Sequence, residues 1–345
     1  MTEKCENEID TLKGIGILFV VASHCDANLR MFFSYPFSFT MPLFFWVAGY
    51  FLTNGDAFPA FVWKKFKRLM CSYWLWCALS ADIFLVMTRL RNPLTFFPFS
   101  ADVARPFSEP GTFLWLPPFF NPPLWFLPAL FAVLLMLYPC VRLSGKALCG
   151  LALSMWAATP VWQSVFAKER LFACGSFPPA LFFGALGIIA ARNKAFLKNA
   201  LSVPMTLILL LSGFGLSVGH WADIFSASSP LFFMAAIASI LGWYGAALRM
   251  DCRFLRFAGR NSMILFGLHL PVLQVVKEIV FGHSDKSADN STLSDNVLEF
   301  VCVTVVVLTV AVGYSALSRK APKAKNAVVF AAFTLFGYYW YKSPY

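Results

Sequence analysis

Apolar runs of about 20 residues, the length at which an α-helix crosses a bilayer, recur from one end of the chain to the other. They lie at about 11–29, 37–53, 69–88, 123–141, 147–162, 176–191, 201–218, 230–248, 262–281 and 297–317. An eleventh, 327–341, is short but ends in Tyr338, Tyr339, Trp340 and Tyr341, which suits a membrane interface. Composition agrees: 59% of residues are apolar and only 13% charged, against roughly 25% charged in a soluble domain. The expected fold is all-α: a polytopic membrane bundle of ten to eleven transmembrane helices, forming a single domain over 1–345.

Orientation follows from the basic residues. With a cytoplasmic N-terminus, and with every run crossing, the inner loops hold Lys64, Lys65, Lys67, Arg68, Arg142, Lys146, Arg192, Lys194, Lys198, Arg249, Arg253, Arg256, Arg260, Arg319, Lys320, Lys323 and Lys325. These are 17 of the 28 Lys and Arg residues. Cytoplasmic loops of membrane proteins carry such an excess, so the N-terminus is expected inside. The net charge of +11 then reflects topology and contact with anionic lipid heads, and nucleic acid is not an expected partner. No cleavable signal peptide is expected, because the first run lacks a basic flank. The nine cysteines are scattered without metal-ligand spacing and read as small apolar side chains, so no metal site is expected. The sequon Asn290-Ser291-Thr292 falls in the predicted outer loop 282–296.

The longest stretch not expected to span is 89–122, where seven prolines interleave with Phe and Trp. A loop this long and apolar makes a poor free linker, and it is expected to fold over the outer mouth or dip into the interface. Its rings beside Arg105 and Glu109 could stack on and hydrogen-bond a sugar, or the stretch could be a plug without a ligand.

Two polar residues stand out in the first run. Lys13 and His24 are eleven residues apart, three helical turns plus about 20° of rotation, so they share a stripe roughly 16 Å long. Intramembrane charges and imidazoles are expensive and default to a functional reading. The alternative is that Lys13 snorkels to the interface while His24 caps a neighbouring carbonyl.

Four stretches carry more specific information. The first is Ile9-Asp10-Thr11-Leu12-Lys13-Gly14-Ile15, continuing to Ser23 and His24. The second is Thr40-Met41-Pro42-Leu43-Phe44-Phe45, running on to Ala48-Gly49-Tyr50. The third is Lys64-Lys65-Phe66-Lys67-Arg68-Leu69, followed by Tyr73, and the fourth is Gly259-Arg260-Asn261-Ser262-Met263-Ile264, leading to His269 and Pro271. In this order and spacing they resemble the acyltransferase-3 family of integral-membrane O-acyltransferases, whose members move acetyl, and sometimes succinyl, groups onto cell-surface polysaccharides or peptidoglycan. Trp125 and Phe126, in Pro-Leu-Trp-Phe-Leu-Pro, look like a further landmark of that family.

The resemblance implies that His24 is the catalytic histidine and Lys13 its basic partner, a position where Arg is common in the family. It implies that Lys65 and Arg68 meet an acyl-CoA donor, acetyl-CoA foremost, with no permanently bound cofactor. It further implies a glycan acceptor, a bacterial plasma (inner) membrane location and envelope glycan-synthesis enzymes as partners. One departure matters: many relatives carry a histidine just before Met-Pro in the second helix, where this chain has Thr40, so a two-histidine centre from the first two helices is not available.

The chemistry suits the residues independently. Acyl transfer from a thioester to a hydroxyl needs a base effective near neutral pH, which imidazole supplies. It also needs oxyanion donors, for which Ser23, Thr40, Asn261 and Ser262 are candidates; Asp10 and Trp125 complete the possible cavity set. The inner ring Lys64, Lys65, Lys67, Arg68 and Arg260 would attract the phosphates of CoA, although topology alone supplies part of that charge. His269 stands two residues before Pro271, whose missing amide frees a carbonyl. It could serve that region structurally or line the cavity of His24. A rival to the enzyme is a transporter of an acyl or glycan substrate, but many transporters show repeated halves, and none is visible here.

Overall fold

The structure is a computed structural model describing residues 3–25, 30–53, 55–91, 121–166, 171–218, 223–281 and 293–320. Arg105, Glu109, His220, His283, the sequon at Asn290 and the apolar segment 327–341 lie outside the described residues.

Over the described residues, each of the ten apolar runs between 11 and 317 lies mostly on a helix. In chain order these are α1 (Glu3–Cys25), α2 (Arg30–Tyr50), α3 (Phe58–Arg91), α4 (Phe126–Cys140) entered through the tight turn Pro122–Trp125, α5 (Gly145–Phe166) and α6 (Phe177–Arg192). There follow the short α7 (Lys194–Ala200), α8 (Val203–Ser217), α9 (Pro230–Ala247), the short α10 (Arg253–Arg260), α11 (Ser262–Phe281) and α12 (Leu293–Lys320). Prolines open α6, α8 and α9 in the first turn, where the missing amide costs no helical bond. Ser202 and Ser229 cap the last two by accepting from the amides of Met205 and Leu231, meeting donors that have no partner inside the helix.

Ten or eleven crossings were expected, but by length and composition five described helices qualify as candidate membrane spans, or six if the pair α7 and α8, bent by 90°, counts as one. Part of this difference has a physical reason in α1 and α2. Glu8, Asp10 and Lys13 on α1, and Ser34, Pro36, Ser38, Thr40 and Pro42 on α2, dilute hydropathy that lipid contact would demand. Both helices instead lie among other helices: α1 packs on α2, α9, α10, α11 and α12, and α2 on α6, α9 and α1. A helix wrapped by protein can carry polar groups that a lipid-facing one cannot. By contrast α12 turns Val301, Val305, Val306, Val310 and Val312 outward.

Several basic residues join separate elements near the start of α1. There Lys198 of α7 pairs with Glu8 of α1 at 2.6 Å, and Arg260 of α10 pairs with Asp10 at 2.8 Å. Arg192, closing α6, donates to the carbonyls of Val141 and Leu143 past the end of α4, and Arg249 donates to the Leu201 carbonyl. These bonds cap carbonyls that helix ends leave free. Close backbone approach adds to them: a Cβ on Gly14 would overlap the Leu255 carbonyl, and one on Gly259 the Asp10 carbonyl. The two glycines let α10 lie directly on the turn of α1 that carries Lys13.

Candidate active site

Lys13 and His24 stand on one continuous helix, so the stripe read from their spacing exists. Lys13 Nζ meets Asp10 Oδ1 at 2.6 Å, and Asp10 Oδ2 accepts from Arg260 Nε at 2.8 Å. Arg260 also donates to Asn7 Oδ1 at 2.8 Å. Asp10 is therefore shared between two cations, and its side chain is 12% exposed against 57% for Arg260. The mostly exposed arginine adds little stability of its own, but its fork fixes which way the carboxylate faces.

A cavity of about 480 Å³ opens beside this network, within the ~300–1,000 Å³ of small-molecule sites. Asp10, Lys13, Lys64, Lys65, Arg68 and Ser262 supply its polar lining. Its remaining wall is apolar, including Phe44, Leu127, Leu130, Leu134, Phe126 and Phe266. Residues from α1, α2, α3, α4 and α11 thus enclose one polar-mouthed, greasy chamber. Burial lowers the pKa of the Lys65 ammonium, with repulsion from Arg68 and Lys64 acting the same way and Asp56 opposing. An arriving polyanion would relieve that repulsion.

At the other end of α1, His24 lies against His269 of α11, with ring centres 5.1 Å apart, and Phe37 of α2 meets His24 edge-on at 6.0 Å. A second histidine thus stands beside His24, carried by α11 rather than by α2. His269 is 1% exposed, and its Nδ1 sits 2.7 Å from the Phe266 carbonyl. A carbonyl can only accept, so in the neutral ring Nδ1 carries the proton and Nε2 the lone pair. Nε2 is buried without a hydrogen-bond partner among the described residues.

The carbonyl that Pro271 frees is met by Asn121, while the ring of His269 bonds the neighbouring Phe266 carbonyl. Pro271 leaves the Gly267 carbonyl without its helical donor, and Asn121 Nδ2 donates to that carbonyl at 2.9 Å and to Ser80 Oγ at 2.9 Å. Asn121 is fully buried beside the turn that opens α4. The sequence carried half of this signal, a proline that frees a carbonyl, but nothing in it named the donor.

The other candidates divide. Asp10, Lys65, Arg68 and Ser262 line the cavity with Lys13. Ser23 is buried and donates to the Val20 carbonyl, and Asn261 donates to the Phe257 carbonyl, so both amide and hydroxyl are engaged with their own helices. Thr40 is buried in α2 and is not part of the cavity's described lining. Trp125 packs on Phe225, ring centres 4.5 Å apart, also outside that lining. Arg105 lies outside the described residues. Among the described residues no group of three His, Cys, Asp or Glu side chains could hold a metal ion.

No curated protein and no solved structure matches the chain. A family model described as an acyltransferase domain, that of acyltransferase-3, matches residues 6–316. That range takes in the Lys13 network, the cavity and both histidines, and the chain belongs to the acyltransferase-3 family.

Proposed function

We propose that the protein is a membrane-bound O-acyltransferase, foremost an O-acetyltransferase, moving an acyl group from acyl-CoA to a hydroxyl of a cell-surface or lipid-linked glycan. In this reading ten helices, or eleven with 327–341, cross a bacterial inner membrane, with the basic end and the N-terminus cytoplasmic. Acyl-CoA is a substrate rather than a resident cofactor, and envelope glycan-synthesis enzymes would supply the acceptor.

The observation that carries this reading is the cavity where Lys13 of α1 meets Lys64, Lys65 and Arg68 of α3, on the helix whose far end sets His24 beside His269. The cations would hold the donor's phosphates through charge-assisted bonds, and the apolar wall would take its thioester arm. An acceptor hydroxyl beside the histidine pair gives its proton to imidazole while its oxygen attacks the thioester carbonyl. A C–O bond forms, the C–S bond breaks, and the imidazolium returns the proton to the leaving thiolate.

Mass spectrometry of surface glycans tests this in cells carrying wild-type protein or His24→Gln at equal membrane abundance. Glutamine cannot accept a proton near neutral pH, so acylation should fall by the ~10²–10⁴ of a lost general base. Near-normal acylation in His24→Gln would overturn the assignment.

A further inference from the structure

Neither histidine is part of the cavity's described lining, but an aromatic cluster in its wall reaches His269 through Phe266. Phe44, Phe126 and Phe266 line the cavity. Phe126 contacts Phe44 at 5.9 Å and Phe266 at 5.6 Å between ring centres. The ring of Phe266 in turn lies 6.0 Å from that of His269, whose Nδ1 is bonded to the backbone of the same residue. Phe45 supports the cluster from behind, 5.1 Å from Phe126, and is buried without lining the cavity. One side of Phe266 therefore faces the chamber and another faces a histidine.

We propose that Phe44, Phe126 and Phe266 form the gate through which the acyl end of the donor reaches the histidines, and that their bulk limits the acyl group to a short chain. The inference rests on the acyl-CoA reading above. Three aromatic rings from three helices meet in the chamber wall, and packed interiors leave little spare volume. A two-carbon acyl group needs the least displacement of these rings to pass; each added methylene must find room among them. Phe266 is the control point because it both lines the chamber and has a described ring contact with His269. Fitting or excluding one methylene in an apolar pocket changes selectivity by about 10–200-fold, so the gate would be a specificity device with no part in proton transfer.

The test uses full-length protein in membranes supplied with equal acetyl-CoA and butyryl-CoA, reading the ratio of the two acyl groups transferred. A ratio is independent of how much protein folds, so partial loss of a variant does not blur the result. Phe266→Leu should raise butyryl transfer relative to acetyl by about tenfold or more, and Phe44→Leu should move it in the same direction. Phe45→Leu, which loosens the cluster without widening the chamber, should leave the ratio at the wild-type value. An unchanged ratio in both Phe266→Leu and Phe44→Leu, or an equal rise in Phe45→Leu, overturns the gate. Wild-type protein that consumes neither donor would instead overturn the acyl-CoA reading, so the two failures are distinguishable.

Discussion

Replacing His269 by Asn separates what its two ring nitrogens do. The amide nitrogen of Asn falls near the place of Nδ1 and can keep donating to the Phe266 carbonyl, 2.7 Å away in the native ring, while nothing remains at Nε2. His269→Gln does the reverse, reaching the Nε2 position and abandoning the carbonyl. If the ring is structural, its bond bounds the damage: a neutral hydrogen bond contributes ~0.5–1.5 kcal/mol. The Phe266 carbonyl, inside α11, also has its helical amide as a partner, so the loss leaves no orphan. If Nε2 takes part in proton transfer, turnover falls by ~10²–10⁴, equivalent to ~2.7–5.5 kcal/mol of barrier at about 1.36 kcal/mol per tenfold. The two ranges do not overlap, so the magnitude decides. His269→Asn should insert at wild-type abundance and lose about 10²–10⁴ in transfer from labelled acyl-CoA per unit of protein in membrane vesicles. Adding His24→Gln should cost little more, because groups acting as a unit are not additive. A His269→Asn enzyme within about tenfold of wild type, whose small loss follows its abundance, would refute the role given to Nε2.

Three further predictions concern the basic end. Replacing Lys65 and Arg68 by Ala should weaken apparent donor affinity while the protein still inserts, and affinity in the wild type should fall with added salt as exposed charges are screened; an unchanged KM in the double variant would reduce both to topology signals. The lowered pKa of Lys65 adds a pH dependence: the charged form is complete below that pKa and is lost as pH rises through it. Donor affinity should therefore decline at lower pH than an ordinary lysine would allow, and Lys65→Arg should abolish that decline. Gly259→Ala would drive a Cβ into the Asp10 carbonyl, so α10 must shift away from α1 and carry Arg260 with it, at ~1–3 kcal/mol. Thermal melting in detergent should fall for this variant but not for Gly150→Ala, where a Cβ meets nothing within 4 Å; equal melting of the two would contradict the close packing.

Local geometry made part of this protein legible from its residues alone. Runs of about 20 apolar residues can only be satisfied as helices in lipid, and each described run lies mostly on one. The common stripe of Lys13 and His24, and the short reach from Lys13 back to Asp10, follow from 3.6 residues per turn and need no partner element. Pro271 announced a carbonyl in want of a donor. The number of candidate spans was less legible, because hydropathy measures fitness for lipid while α1 and α2 are surrounded by protein. Contacts between distant segments were decided by tertiary structure alone. Asp10 and Arg260 are separated by 250 residues, Asn121 and Gly267 by 146, and neither pair leaves a periodic trace. The pairing of His24 with His269 belongs with them, and so does the aromatic cluster drawn from α2, α4 and α11. A sequence fixes which face of a helix a residue occupies, whereas the neighbour it meets depends on how all the helices pack at once.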